Sequence, residues 1–173
     1  MSKHEIVNWP EFYTATIKDW KPLLYSTKYK EIIIASLTFM VKNNRIVLNA
    51  FVIMDTHIHL IWQSKSPYTP QQARAAFLKY TGRKIINLVE EEQTEFVADL
   101  SVQKYDRKHQ VWKRDSLAIE LFSRAAFLQK LVYIHDNPVK AGLCKTAETY
   151  YYSSAAFYQD GSDVFKILSH YEG

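Results

Sequence analysis

His57 and His59 stand two residues apart in the segment His57-Ile58-His59-Leu60-Ile61-Trp62-Gln63. In an extended segment, alternation puts both imidazoles on one face with Ile61 and Gln63, while Ile58, Leu60 and Trp62 point the other way. Two imidazoles so placed can converge on one cation, provided a third ligand arrives from elsewhere. The pattern alone is weak, and two hydrogen-bonded or surface histidines would look the same. Its surroundings argue for more. Flanked by Val52, Ile53, Met54, Ile58, Leu60 and Ile61, an imidazole is a costly choice unless its face meets something polar.

The second group is a phenol. Stepping by four, three and four residues from Ala126 reaches Lys130, Tyr133 and Asn137, one continuous stripe on a helix. Phe127, Leu131 and Ile134, extended by Leu128, form the neighbouring apolar seam, so Tyr133 falls at its edge beside a lysine. The chain has 12 tyrosines, and the default for each is a packed ring with its hydroxyl at the surface, as Tyr13, Tyr25, Tyr80 and Tyr158 read. Tyr133 is the exception. His135 points nearly opposite on the same wheel and reads as packing or capping. Asn137 precedes Pro138, which biases it away from helical geometry, yet its side chain could still close the site.

These groups need elements to hold them. Phe12 to Trp20 carries β-branched and aromatic residues and predicts a first strand, ended before Pro22. Lys28 to Lys42 places Ile32, Ala35, Ser36, Phe39 and Met40 at helical spacing, with Lys30 outside the stripe and Asn43-Asn44 ending the helix. Arg45 to Met54 is apolar on both faces, as a central strand would be, and Asp55-Thr56 turns it into a second strand, His57 to Gln63. Thr69-Pro70-Gln71-Gln72 is a capping box with proline in the first helical position, and Gly82 is a point where that helix could weaken. Glu90 to Glu95 reads as a helix end or solvated loop, and Phe96 to His109 gives the least definite pattern. Gln110 to Phe122 supplies another strand, Ser123 caps a helix from Arg124 to about His135, and Pro138 is expected to end it. The order β, α, β, β, α, β with an added helix predicts an α+β, ferredoxin-like (RRM-like) sandwich: an antiparallel sheet, helices on one face and a C-terminal helix carrying Tyr133.

At 173 residues one compact domain spanning 1–173 is expected, and 47% apolar with 23% charged residues excludes a disordered chain. Met1 to Lys21 is broken by His4, Glu5, Asn8, Pro10, Glu11 and Asp19, so no secretory leader is expected, and no apolar run approaches the roughly 20 residues that cross a bilayer. A cytosolic protein follows. Cys144 is the one cysteine, which rules out a disulfide framework or a cysteine zinc site within the chain and reads as small apolar filler. The net charge of +4 is concentrated between Lys65 and Lys140, a modest hint of a polyanionic partner that an ordinary solvated surface also explains.

Met54-Asp55-Thr56-His57-Ile58-His59-Leu60-Ile61-Trp62, together with Tyr133-Ile134-His135-Asp136-Asn137-Pro138-Val139-Lys140-Ala141-Gly142-Leu143, resembles the single-tyrosine HUH transposases of insertion sequences, especially the REP-associated branch. Val111-Trp112-Lys113-Arg114-Asp115 and Tyr152-Ser153-Ser154 agree, so the resemblance covers roughly Arg45 to Tyr158. It implies that His57 and His59 are the metal-binding pair, Asn137 the third ligand, Tyr133 the nucleophile, and Mg²⁺ or Mn²⁺ the cofactor. Asp55-Thr56 stands where the family usually has Pro-Asn, a departure in the turn that removes no ligand.

A phenol with a pKa of about 10 needs help to attack a phosphodiester, and a divalent cation would supply it. The resemblance implies cleavage and rejoining of hairpin-flanked single-stranded DNA through a 5′-phosphotyrosine, in the bacterial cytosol or nucleoid, by a homodimer or a monomer. Arg74, Lys79, Arg83, Lys84, Lys113, Arg114 and Lys130 are the candidate phosphate contacts. Trp62 and Trp112 could stack on bases or be buried. Two other readings compete. One is a domesticated hairpin-binding module without turnover; the other, more remote, is an RNA-binding domain of the same fold, for which no paired aromatic strand signature is present.

Overall fold

The computed structural model describes residues 8–104 and 107–173. The first seven positions of Met1 to Lys21, where no leader is expected, lie outside the described residues, as do 105 and 106. In chain order the elements are β1 (Glu11–Thr16), α1 (Thr27–Lys42), β2 (Ile46–Ile53), β3 (His57–Ser64), α2 (Pro70–Glu91), α3 (Phe96–Leu100), β4 (Ser101–Lys104), β5 (Arg107–His109), β6 (Leu117–Glu120), α4 (Arg124–Lys140) and α5 (Ala155–Asp160).

The main sheet is antiparallel with strand order β2-β3-β1-β6, and β4 and β5 form a separate ribbon. This is the expected α+β sandwich. Alternation along β3 divides the core: Ile58, Leu60 and Trp62 face α1 and α2, while Ile61 faces Phe127, Leu131 and Ile134 of α4 across the other side of the sheet. Burying those three α4 side chains is worth roughly 1.5–3 kcal/mol each, which fixes the helix against the face that carries the histidines. Among the described residues no helix is long and apolar enough to cross a membrane.

Local signals explain several boundaries. The Thr69 hydroxyl accepts from Gln72 N–H at 3.2 Å and the Gln72 side chain accepts from Thr69 N–H at 3.0 Å, a complete capping box. Ser123 Oγ accepts from Ala126 N–H at 3.1 Å at the start of α4. Gly82 does not interrupt α2: Trp112 lies over it, 3.7 Å from where a Cβ would stand, and Trp112 Nε1 donates to Thr81 Oγ1 at 3.0 Å.

Other expectations are corrected. β1 ends at Thr16 rather than Trp20, because Asp19 and Trp20 adopt φ of 56° and 55° and turn the chain. The buried residues of α1 are Tyr29, Lys30, Ile33, Ile34, Ser36, Leu37 and Met40; Ile32, Ala35 and Phe39 are not among them. The run Ile32-Ile33-Ile34 fixes no helical phase by itself. β2 is an edge strand, although both its faces are covered. Its outer edge is occupied by the C-terminal segment: Ile53 N–H donates to Tyr152 O, Ser154 N–H to Phe51 O and Ser169 N–H to Leu48 O, each at 2.9 Å. Within Gln110 to Phe122 only Leu117–Glu120 forms a strand.

Pro138 does not end α4, which runs on to Lys140. Leu143 N–H donates to Pro138 O at 2.9 Å and Gly142 N–H to Val139 O at 3.0 Å, with Gly142 at φ 73°, a left-handed stop of the kind glycine provides. Asn137 is therefore helical, one turn beyond Tyr133.

Candidate active site

β3 and α4 meet over the sheet face that carries the histidines. The His57 and His59 rings are 4.7 Å apart between centroids, and the His59 and Tyr133 rings 5.3 Å apart. Phe12 of β1 fills the floor, stacked on His59 at 5.5 Å and edge-on to Tyr133 at 5.9 Å. Lys130 Nζ lies 4.7 Å from the Phe12 ring centre and 5.6 Å from that of Tyr133. Tyr133 is 45% exposed, so its ring rests on the site wall while solvent and substrate can reach it.

Each imidazole is held through its Nδ1. Thr14, directly opposite His59 on β1, places its hydroxyl 2.7 Å from His59 Nδ1, and Thr56 Oγ1 lies 2.9 Å from His57 Nδ1. With Nδ1–H donating to the hydroxyl, the Nε2 lone pair of each ring is left for a ligand. His59 Nε2 is buried and has no hydrogen-bond partner. Burial, with smaller contributions from His57 and Lys130, pushes the His59 pKa down to about 3, and burial also lowers that of His57 against the opposing pull of Asn137 and Asp55. Both rings are therefore neutral near pH 7, the form that binds metals.

Among the described residues no three histidine, cysteine, aspartate or glutamate side chains cluster as a metal site. Two imidazoles with the Asn137 amide facing His57 are a different donor set, and the orphaned, buried His59 Nε2 fits a ligand role. Neutral nitrogen and amide-oxygen donors suit a divalent cation that keeps part of its water shell.

The turn that bears His57 is tied down from several sides. Lys30 Nζ donates to Asp55 Oδ1 and to Tyr150 Oη, both at 3.1 Å, and Tyr150 Oη donates to Ile53 O at 2.8 Å. Leu24 N–H donates to Asp55 O at 2.9 Å and Ile17 N–H to Thr56 O at 2.8 Å. Asp55-Thr56 is thus a built turn in which both side chains take part.

No family model matches the sequence, and no curated protein matches it. Solved structures do. A REP-associated tyrosine transposase bound to a REP hairpin superposes with a TM-score of 0.63 at 16% identity, covering 100% of this chain and 98% of that one. A Deinococcus radiodurans R1 protein described as a transposase gives a TM-score of 0.52 at 13% identity, over 79% of this chain and 95% of the other. The chain has the fold of these transposases.

On this transposase fold the candidate phosphate contacts separate into groups. Lys130 stands at Tyr133, as above. Lys113 and Arg114 are exposed, and Lys113 N–H donates at 2.7 Å to the carbonyl of Thr16, the residue paired with His57. Lys79, Arg83 and Lys84 line a shallow cavity on the exposed face of α2, across the sheet from Tyr133. Arg74 is paired with the buried Glu11, whose other oxygen accepts from Trp62 Nε1 at 3.2 Å, so its guanidinium is committed within the protein. Trp62 and Trp112 are 2% and 7% exposed, which removes both as base-stacking surfaces. His135 packs against Tyr158 and lies 2.8 Å from Ser154 Oγ, outside the His57–His59–Tyr133 ring cluster. The sequence reading missed Phe12, Thr14 and Thr56. Thr56 adjoins His57 in the chain, whereas Phe12 and Thr14 become neighbours of His59 only once β1 is paired with β3.

Proposed function

We propose that this protein is a single-tyrosine transposase of the HUH type, cleaving and rejoining single-stranded DNA next to hairpin-flanked repeat or insertion-sequence ends. The observation that carries this reading is the approach of Tyr133 on α4 to His59 on β3, with ring centroids 5.3 Å apart. The fold shared with a transposase bound to a REP hairpin supports hairpin-bearing DNA as the partner.

In this reading Tyr133 Oη attacks the scissile phosphorus, the P–O3′ bond breaks, and the strand leaves with a free 3′-hydroxyl while its 5′ side stays on Tyr133 as a phosphodiester. The phenol proton passes to solvent and the departing oxygen takes one up. Attack by a 3′-hydroxyl on the same phosphorus expels the phenol and rejoins the strand, with the bond energy conserved. A divalent ion, Mg²⁺ or Mn²⁺, held by His57, His59 and Asn137 would polarise the phosphate and offset charge in the transition state. Thr14 and Thr56 hold the two rings in the ligand tautomer. Lys130, close to the phenol, meets the phosphate. Phe12 excludes water beneath the reacting atoms.

The test is direct. Labelled single-stranded repeat ends incubated with the protein and Mn²⁺ should give a complex that survives denaturation, and Tyr133→Phe should remove it. An adduct that persists in Tyr133→Phe refutes the assignment. Hairpin binding that never yields an adduct, and that is indifferent to metal and to His57→Ala, would favour the module without turnover.

A further inference from the structure

The chain leaves β1 through an uncommon turn. Asp19 and Trp20 stand at φ 56° and 55°, the left-handed region that a non-glycine residue seldom occupies and a bulky side chain least of all. Contacts from other segments hold it there. Lys18 N–H donates to Val111 O at 2.7 Å, Lys18 Nζ donates to Asp99 O at 2.8 Å, and Lys21 Nζ lies 3.1 Å from Asp99 Oδ1. What the turn carries is nevertheless not buried, for Trp20 is 58% exposed. Backbone conformations of this kind cluster at ligand-holding sites, and here the product of the strain is an indole shown to solvent.

That indole stands at one end of the candidate site. Its ring is edge-on to His57, 6.0 Å between centroids, whereas Tyr133 packs against His59 and Phe12. In the ladder Thr16 is opposite His57, and Phe12 is opposite Ile61. The phenol therefore lies toward the Ile61 end of β3 and the indole at the His57 end, with the two imidazoles between them. Lys113, joined to Thr16 O through its N–H, brings its own exposed side chain and that of Arg114 to the indole's end of β1.

In-line displacement sets the attacking and departing oxygens on opposite sides of phosphorus. With the phosphate over the imidazole pair and Tyr133 Oη attacking from the His59 side, O3′ departs on the His57 side, where Trp20 stands. We propose that Trp20 stacks on the terminal base of the strand that leaves with the free 3′-hydroxyl and keeps that end in place for rejoining, a reading that rests on the strand-cleavage function proposed above. The Oη–P bond forms as P–O3′ breaks, and resealing needs the same hydroxyl to return as the phenol is expelled. A strand end held beside phosphorus attacks as an intramolecular group, so the indole favours resealing over loss of the strand. Stacking uses the π face that every base has, and the contact reads no sequence.

The experiment uses the full chain with Tyr133 intact, Mn²⁺, and a single-stranded repeat end labelled on each side of the cut. The variant is Trp20→Gly, because glycine accepts the left-handed turn without strain. Its covalent adduct should accumulate above the level of the unaltered chain, and its departing strand should exchange with an unlabelled competitor about tenfold faster. Mn²⁺ affinity should match that of the unaltered chain. Trp20→Phe, which keeps a stacking ring, should restore slow exchange, and Trp20→Leu, which keeps only apolar bulk, should not. Removing the terminal base of the departing strand should speed exchange in the unaltered chain and add nothing in Trp20→Gly. Leucine as effective as phenylalanine overturns the proposal, as does a joint fall in adduct and Mn²⁺ affinity, which would make the indole a prop for His57. An adduct whose exchange is indifferent to Trp20 removes this contact alone. No adduct from the unaltered chain removes the cleavage reading and the contact with it.

Discussion

The Thr14 hydroxyl stands 2.7 Å from His59 Nδ1, across the antiparallel ladder that pairs the two residues. In the proposed function it gives β1, which carries none of the proposed ligands, a part in orienting one of them. Thr14→Val should leave the fold intact and weaken Mn²⁺ binding, read by the loss of free-ion paramagnetic resonance signal, by about 10- to 100-fold. Thr14→Ser should restore it. Equal affinity in the valine variant would mean that the ring is oriented by packing alone.

Arg74 separates a structural cation from a DNA contact. Its partner Glu11 is 4% exposed, and removing one member of a buried pair typically costs about 3–5 kcal/mol. Arg74→Ala should therefore lower the urea midpoint strongly, with DNA affinity unchanged under conditions where the variant is folded. A stable variant with weakened DNA binding would return Arg74 to the phosphate contacts.

Lys79, Arg83 and Lys84 lie across the sheet from Tyr133. Replacing all three with alanine should leave adduct formation on a short strand unaffected. For a longer DNA that reaches the far face, the salt dependence of binding should become shallower by about 0.7 in log–log slope for each phosphate that is no longer neutralised. A matching fall in adduct on the short strand would contradict this separation.

Acid stability should carry the signature of His135. Burial pushes its pKa down to about 4, with Asp136 opposing the fall, from the 6.5 of an exposed imidazole. Above pH 6.5 neither folded nor unfolded chain holds the proton, so this residue gives no pH dependence. Between 6.5 and about 4 only the unfolded chain takes it up, and stability falls with pH by at most on the order of 3 kcal/mol before levelling off. Denaturant titrations from pH 7.5 to 4 should show that slope reduced in His135→Gln, while His59 continues to contribute its own. Superposable curves would show that His135 is open to solvent in the fold.

The sequence exposed much of this arrangement because its strongest signals are local. Thr69 with Gln72, and Ser123 before α4, are chemical devices that work over three residues, and both act as their side chains suggest. Alternation placed His57, His59 and Gln63 on one face and Trp62 on the other for the same reason. Phase and position in the sheet are set at longer range. Nothing in Ile32-Ile33-Ile34 says which isoleucine meets α2, and the burial of β2 on both faces reads as central position until Tyr152 to Ser169 is seen along its edge. Pro138 misled through a general rule that the C-terminal turn of α4 escapes, with Gly142 providing the stop. Within the candidate site, His59 and Tyr133 each stand out by type and spacing, but only the family resemblance implies that they share a site, and Thr14 depends on a strand register that no single segment encodes.

The segment lying along β2 gives the sheet one sealed flank. β6, at the opposite end, is four residues long and exposed, and no strand pairs with its outer side among the described residues. Among the described residues, a second polypeptide extending this sheet by main-chain pairing would therefore approach from the β6 side, next to β1 and the threonine it presents to His59, and Glu120 with the brevity of that strand limits how readily it does so.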